Sequence, residues 1–227
     1  MRLVAGCEGL IGVDEAGRGP LAGPVVSAAV LLSASFYRSG WCRRRSRLVN
    51  DSKLLTRSRR EELCGDILRL REEGKILAEY APASVEEIEE LYILGATRLA
   101  MRRALEGLVI ASGGALRLPE AGENGPLFNS TGNGPGWIRI VVDGLPLRPF
   151  PYEHEAIVRG DGKSLAIALS SILAKVKRDE MMRDLDREIP QYGFAAHKGY
   201  GTARHREAIL LHGPSDAHRS KFLRKII

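Results

Sequence analysis

Residues 11–30, IGVDEAGRGPLAGPVVSAAV, constrain this chain more than any other stretch. Ile11 and Val13 alternate with smaller residues as on a buried strand, and the strand ends in two adjacent carboxylates, Asp14 and Glu15. An ionised carboxylate at the edge of a core is costly unless a cation or hydrogen bonds compensate it, so two at one strand end point to a metal site. Arg18 is a further source of compensation. Gly17, Gly19 and Gly23 allow a tight turn or the close approach of a ligand, and Pro20 and Pro24 stiffen the path before Val25–Leu32 resumes as a second strand. The reading is a hairpin with an acidic, glycine-lined tip. An ordinary hairpin with solvated turn acids accounts equally well for Asp-Glu alone, but not for the whole string. One difficulty is built in: neighbours on a regular strand point to opposite faces, so Asp14 and Glu15 share a site only if the backbone departs from strand geometry. The Gly-Arg-Gly turn offers the place for it.

The chain has 227 residues, 44% of them apolar and 27% charged, which fits one domain with a substantial core. It has no apolar run long enough to span a bilayer, and its N-terminus lacks a secretory apolar segment, so a cytoplasmic protein without a membrane anchor is expected. Cys7, Cys42 and Cys64 are odd in number and widely spaced, against a disulfide framework or a cysteine zinc site. The five histidines show no paired zinc spacing. A net charge of +6 permits a polyanionic partner without requiring one.

Further along, Arg43, Arg44 and Arg45 form part of an arginine run that reads either as a solvated loop or as a phosphate-contacting arm. Residues 56–73 carry apolar positions at helical spacing, with Gly74 as the stop, and residues 75–80 read as a strand. Ser84 and Glu87 form a capping-box pattern ahead of a long or broken helix through Leu108, with Gly95 as the expected break. Residues 111–136 turn to Gly, Pro, Asn and Ser and read as a flexible surface insertion. Trp137–Asp143 is a near-continuous apolar strand that again ends in an aspartate and a glycine. Asp161 lies in Arg-Gly-Asp-Gly-Lys, before a helix that runs from Ser164 until Pro190 ends it.

Carboxylates on separate elements, Asp14, Glu15, Asp143 and Asp161, suit a nuclease that uses Mg²⁺ or Mn²⁺ and needs no side-chain nucleophile. Asp179 is an alternative to Asp161, but 18 residues of helix would separate the two by about 27 Å. Asp179 reads better as a helix-surface ion-pair partner. The backbone of Gly17-Arg18-Gly19 could approach a ribose 2′-OH, the group that distinguishes RNA from DNA.

Asp-Glu-Ala-Gly-Arg-Gly-Pro closely resembles the signature of the type 2 ribonuclease H family, ribonuclease HII of the bacterial type in particular. Three further blocks keep the family's order: Asn50-Asp-Ser-Lys53, the segment from Trp137 to the helix after Asp161, and Phe194–His205 with Gly213-Pro214 and His218-Arg219. The resemblance implies an α/β fold, a ribonuclease H-like mixed sheet flanked by helices. It implies a single catalytic domain over residues 1–227, with a C-terminal helical part from about residue 190. It also implies that Asp161 is the fourth acid, that Lys53 approaches the substrate phosphate, and that Gly17, Arg18, Gly19 and Tyr200 recognise the ribonucleotide at an RNA-to-DNA junction. Without the resemblance Tyr200 reads as a loop aromatic, and Asn50–Ser52 as a turn and helix start. The implied activity is endonucleolytic cleavage of RNA in RNA/DNA hybrids and at ribonucleotides in duplex DNA, in replication and repair, leaving 3′-hydroxyl and 5′-phosphate ends. A monomer is expected, and the C-terminus lacks the paired aromatics of a sliding-clamp peptide. The rival readings are a metal-dependent DNA nuclease on the same fold and a non-catalytic nucleic-acid-binding protein.

Overall fold

The computed structural model describes residues 7–46, 49, 55–121 and 137–224. Cys7–Ala16 (β1) and Val25–Ser33 (β2) form the expected antiparallel hairpin, with Val13 opposite Ala29. After the short helix Gly40–Arg45 (α1) comes Arg57–Glu72 (α2), whose first turn is capped by the Thr56 side chain. Leu77–Ala83 (β3) pairs antiparallel with β2, and Val85–Ala111 (α3) follows through the predicted Ser84/Glu87 capping box. Trp137–Asp143 (β4) runs parallel to β1, and Glu155–Ile157 (β5) parallel to β4. The sheet is therefore mixed, in the order β3-β2-β1-β4-β5. Leu165–Glu188 (α4) leads to Phe194–His197 (α5), Ala203–His212 (α6) and Ser220–Leu223 (α7). No helix of the described residues is long and apolar enough to cross a membrane.

Alternation along β1 divides the core. Leu10 packs with α4 residues such as Ile167 and Leu169, whereas Ile11 and Val13 pack with Met101, Leu105 and Leu108 of α3. Full burial of a side chain such as Ile11 contributes about 1.5–3 kcal/mol. Gly12 faces α4, and a Cβ there would lie only 2.1 Å from the Ala166 carbonyl carbon. The Ser170 hydroxyl donates to the Gly12 carbonyl at 2.7 Å, which pins α4 against β1 just before the acids.

Three expectations need correction. β1 does not end at its acids: pairing with β4 stops at Val13–Val142, while pairing with β2 continues through Asp14, Glu15 and Ala16. The break in α3 falls at Tyr92 (φ 58°, ψ 165°), not at Gly95. Gly95 makes room for that kink, since a Cβ there would come within 2.9 Å of the Leu91 Cβ. The 111–136 segment is not all surface excursion: Leu116 is buried beside α3, and Glu120 bridges to Tyr152. Residues 122–136 lie outside the described residues.

Candidate active site

The register of β1 and β4 sets the site. Val13 is paired with Val142, so Asp14 and Asp143 are the next residues of two parallel neighbours. By alternation Asp14 falls on the α4 face with Gly12, and Asp143 on that face with Val141. Alternation alone would turn Glu15 to the opposite face, the difficulty raised by the sequence, yet it repels Asp14 as well as Asp143. Because β4 stops pairing here, Glu15 still feels the Asp143 charge across the open strand end.

Asp14 is buried, and its Oδ1 accepts a 2.7 Å hydrogen bond from the Glu15 amide. Burial first, then repulsion by Glu15 and Asp143, holds its carboxyl well above the usual carboxylate range, while a hydrogen bond with the Ser171 side chain works the other way. Burial also raises Glu15, opposed by Arg18, whose guanidinium is 3.2 Å from Glu15 Oε1, and reinforced by Asp143.

The fourth acid reaches the same end of the sheet by a different route. Gly160–Gly162 form a tight 3-10 turn, and the Gly160 amide donates to Asp143 Oδ1 at 2.6 Å. A Cβ at Gly160 would sit 2.5 Å from Ile167 Cδ1, so glycine is what lets the turn lie against both β4 and α4. Asp161, the next residue, is buried with its Oδ1 accepting from the Gly162 amide at 3.1 Å. Asp179 stands instead on α4 in a 2.6 Å ion pair with Lys175. Among the described residues no three His, Cys, Asp or Glu side chains are gathered closely enough to hold a metal ion, so the four acids share one end of the sheet without closing on a common point.

Beyond β1, Gly17 takes a φ of 100° and is buried, whereas Arg18 and Gly19 are exposed. Tyr200 is exposed in the link between α5 and α6, and the Leu21 amide donates to the Gly199 carbonyl at 2.8 Å. The Gly-Arg-Gly loop and the tyrosine segment are thus adjacent. Lys53 lies outside the described residues.

Sequence reasoning gave no role to Ser171, Arg178 or Arg219. Ser171 had no signal beyond a small residue on a packed helix. Arg178 had one: it continues the i, i+4 stripe of Ser170, Ala174 and Met182, all buried, so a cation was due to enter the core. The arginine run also resolves, with Arg43 donating to the Arg38 carbonyl at 2.8 Å and Arg45 bonded to Glu62 at 3.0 Å.

Comparison with known proteins bears on these features. A family model described as ribonuclease HII matches residues 11–114 and 139–225. Ribonuclease HII of Acidovorax sp. (strain JS42) is 43% identical over 211 residues, covering 93% of this chain and 83% of the relative. Among solved structures, Bst-RNase HIII in complex with Mn²⁺ superposes with a TM-score of 0.68 at 17% identity, over 97% of this chain and 70% of that one. The ribonuclease HII of the Archaeoglobus fulgidus PCNA:RNase HII complex gives 0.62 at 23% identity, over 93% and 94%. These two establish the ribonuclease H-like fold alone. The family model, which spans Asp14, Glu15, the Gly-Arg-Gly loop and Asp143, and the bacterial relative together establish more: the chain belongs to the ribonuclease HII family.

Proposed function

We propose that Asp14, Glu15, Asp143 and Asp161 together bind the divalent metal of this enzyme, Mn²⁺ or Mg²⁺, and that Gly17, Arg18, Gly19 and Tyr200 read the ribonucleotide to be cut. As a member of its family the chain is a ribonuclease H, a metal-dependent endonuclease acting on RNA paired with DNA. The observation that carries the site assignment is a buried carboxylate, Asp14, repelled by two further carboxylates, next to a loop whose backbone is bare at Gly19.

The donor set fits a hard cation. Carboxylate oxygens are the ligands that Mg²⁺ and Mn²⁺ select, and such ions keep several positions for water and phosphate oxygens. When bound, the metal supplies charge neutralisation and water activation for in-line displacement at the phosphodiester, which leaves 3′-hydroxyl and 5′-phosphate ends.

The remaining work belongs to the chain. Ser171 orients the Asp14 carboxylate, and the Gly160 amide orients that of Asp143, so each presents a fixed oxygen. Arg18 turns back on Glu15 and limits its repulsion with Asp143. Around Gly19 there is open space, with no atom within 4 Å of where a Cβ would stand, so a ribose can approach the backbone there. Tyr200 offers an aromatic face to the neighbouring sugar, and Lys53 is assigned to the phosphate on the family resemblance alone.

The setting in this reading is cytoplasmic, with RNA/DNA hybrid and ribonucleotide-containing DNA duplex as substrates for a monomeric enzyme. A duplex with one embedded ribonucleotide, assayed beside an all-DNA control with and without Mn²⁺, tests it. Cleavage only of the ribonucleotide duplex, and only with metal, is expected. Equal cleavage of the control would make the enzyme a DNA nuclease, and binding without cleavage would make it a non-catalytic binder.

A further inference from the structure

Two arginines lie fully buried behind the Gly17–Pro24 loop, and neither forms an ion pair among the described residues. Arg219 donates to four carbonyls, those of Gly17 (2.7 Å), Arg18 (3.1 Å), Pro20 (2.9 Å) and Gly23 (2.7 Å). Arg178 donates to those of Ala22 (3.2 Å), Pro24 (2.9 Å) and Lys198 (3.0 Å). The Arg219 amide takes the Leu21 carbonyl at 2.8 Å as well. Of the loop's eight carbonyls from Gly17 to Pro24, every one but that of Gly19 is held by these two residues.

This is a costly way to fill a core. Burying an ion costs several kcal/mol even after relaxation, and well-packed apolar residues often do better for stability. What an apolar residue cannot do is donate to a turn's worth of inward-pointing carbonyls. A guanidinium has five donors in a rigid plane and can hold several at once, each charge-assisted bond returning about 1.5–3 kcal/mol. Gly17 is shaped to the same end: a Cβ there would fall 2.0 Å from Arg178 Nε.

The clamp reaches both elements assigned above to the ribonucleotide. Through Arg219 it holds the carbonyls of Gly17 and Arg18. Through Arg178 it holds Lys198, two residues before Tyr200, and its guanidinium lies 6.0 Å from the Tyr200 ring centre. With their carbonyls drawn inward, Gly17 and Arg18 are fixed in orientation while Gly19 stays open to solvent. We infer that Arg178 and Arg219 are positioning residues for ribonucleotide selection: without touching substrate, they fix the separation and orientation of the Gly17–Gly19 backbone and Tyr200. This inference rests on the proposed ribose-reading role of those residues.

Arg178→Lys and Arg219→Lys test it, because lysine keeps the charge and much of the volume but cannot fork across several carbonyls. Each variant is assayed on a duplex with one embedded ribonucleotide, at a temperature where circular dichroism shows it fully folded. A fall in kcat of about 10-fold or more with KM changed by less than about 3-fold is expected, since small misplacement of reacting groups is paid in rate. An unchanged kcat, with only a lowered melting temperature, would reduce both arginines to structural residues and overturn the inference. The wild-type protein gives an arm that does not depend on variants folding. Hydrogen exchange at the Leu21 and Gly23 amides, which bond to the Gly199 and Ala217 carbonyls, should be slow without substrate and unchanged when the duplex is added in EDTA. Fast exchange that slows only with duplex would show a loop ordered by substrate and overturn the inference. Failure of the underlying reading looks different: the wild-type enzyme would cut the all-DNA control as readily.

Discussion

The acids of β1, where its pairing with β4 stops, and the arginines behind the following loop are both charges taken into the protein, yet their surroundings differ in kind. Arg219 spends five hydrogen bonds on four carbonyls of the chain itself, and Arg178 three on three. Burial lowers Arg219 to about 9, which still leaves it charged at neutral pH. Asp14 has the Glu15 amide and Ser171 against burial and two like charges, and its carboxyl is pushed well up. The cations are complete without a ligand, whereas the proposed role of the anions is to be completed by one. Buried charge that the chain itself compensates is scaffold in this reading, and buried charge left in mutual repulsion is where the proposed metal sits.

The sharpest way to break that contrast is to neutralise one acid. Asp14→Asn should lower cleavage on the order of 1000-fold, because it removes a ligand from the proposed metal site. In metal-free enzyme the same change should raise the melting temperature, by roughly 2–4 °C per kcal/mol of repulsion relieved. Mn²⁺ should stabilise the wild type and leave the variant nearly unmoved. A variant that melts lower in EDTA, or that gains as much from Mn²⁺ as the wild type, would show that Asp14 is satisfied after all. Asp161→Asn should fall comparably in rate. Asp179→Asn should keep its rate and lose only about 0.5 kcal/mol, the value of a helix-surface pair with Lys175.

A second buried polar group extends the saturated side. The Ser215 amide donates to His218 Nδ1 at 3.0 Å, so His218 carries its proton on Nε2 and gives it to His205 Nε2 at 3.1 Å. His205 Nδ1 is then left to donate to the Tyr200 carbonyl at 2.9 Å. The chain works only with neutral rings, and burial lowers His205 to about 4. Its folded value lies below the unfolded one near 6.5, so the unfolded state binds the extra proton. Stability is therefore full above about pH 6.5 and falls as pH drops toward 4, by up to about 3 kcal/mol. Urea unfolding from pH 4 to 8 checks this, and His205→Gln should flatten the acid limb. A limb unchanged in that variant would place the titration elsewhere.

The tyrosine whose carbonyl ends that chain gives a smaller effect. Tyr200→Ala should lower cleavage at one embedded ribonucleotide about 10-fold while hybrid affinity changes less, since the ring positions one sugar and the backbone clamp survives. Parallel losses in affinity and rate would make Tyr200 a binding residue only.

How far the sequence could anticipate this follows the same division. The hairpin, the parallel apolar strand ending in Asp143 and the capped helices were legible because alternation, helical spacing and caps are local. The acids were legible because ionisable groups at the ends of apolar strands contradict their surroundings. The clamp was not, because Arg219 meets Gly17 across some 200 residues, at the 202-residue separation of its shortest bond there, and no local pattern encodes that distance. The site of the α3 break was missed for a related reason: glycine marks where the backbone is permissive, but the kink fell on Tyr92, whose ring is covered by the Lys221 ammonium at 3.7 Å.

The smallest effect is expected from the arginines that looked most like a nucleic-acid arm. Arg43 is engaged with the Arg38 carbonyl, and Arg45 with Glu62 on α2, its Nε also 3.8 Å from Asp66. A cation already paired within the protein releases few counterions when DNA or RNA arrives, because its field is largely cancelled beforehand. Each phosphate neutralised contributes about −0.9 to the slope of log K against log salt. Of the three only Arg45 is paired with an anion, since the carbonyl that Arg43 meets cancels no charge, so replacing all three by glutamine should change that slope by no more than about 2. Binding of an RNA/DNA hybrid between 50 and 200 mM salt, both being about the range over which such slopes are read, measures it. A change near 3 would mean that Arg45 leaves Glu62 for phosphate as well, and that pairing seen within the protein does not by itself mark a charge as scaffold.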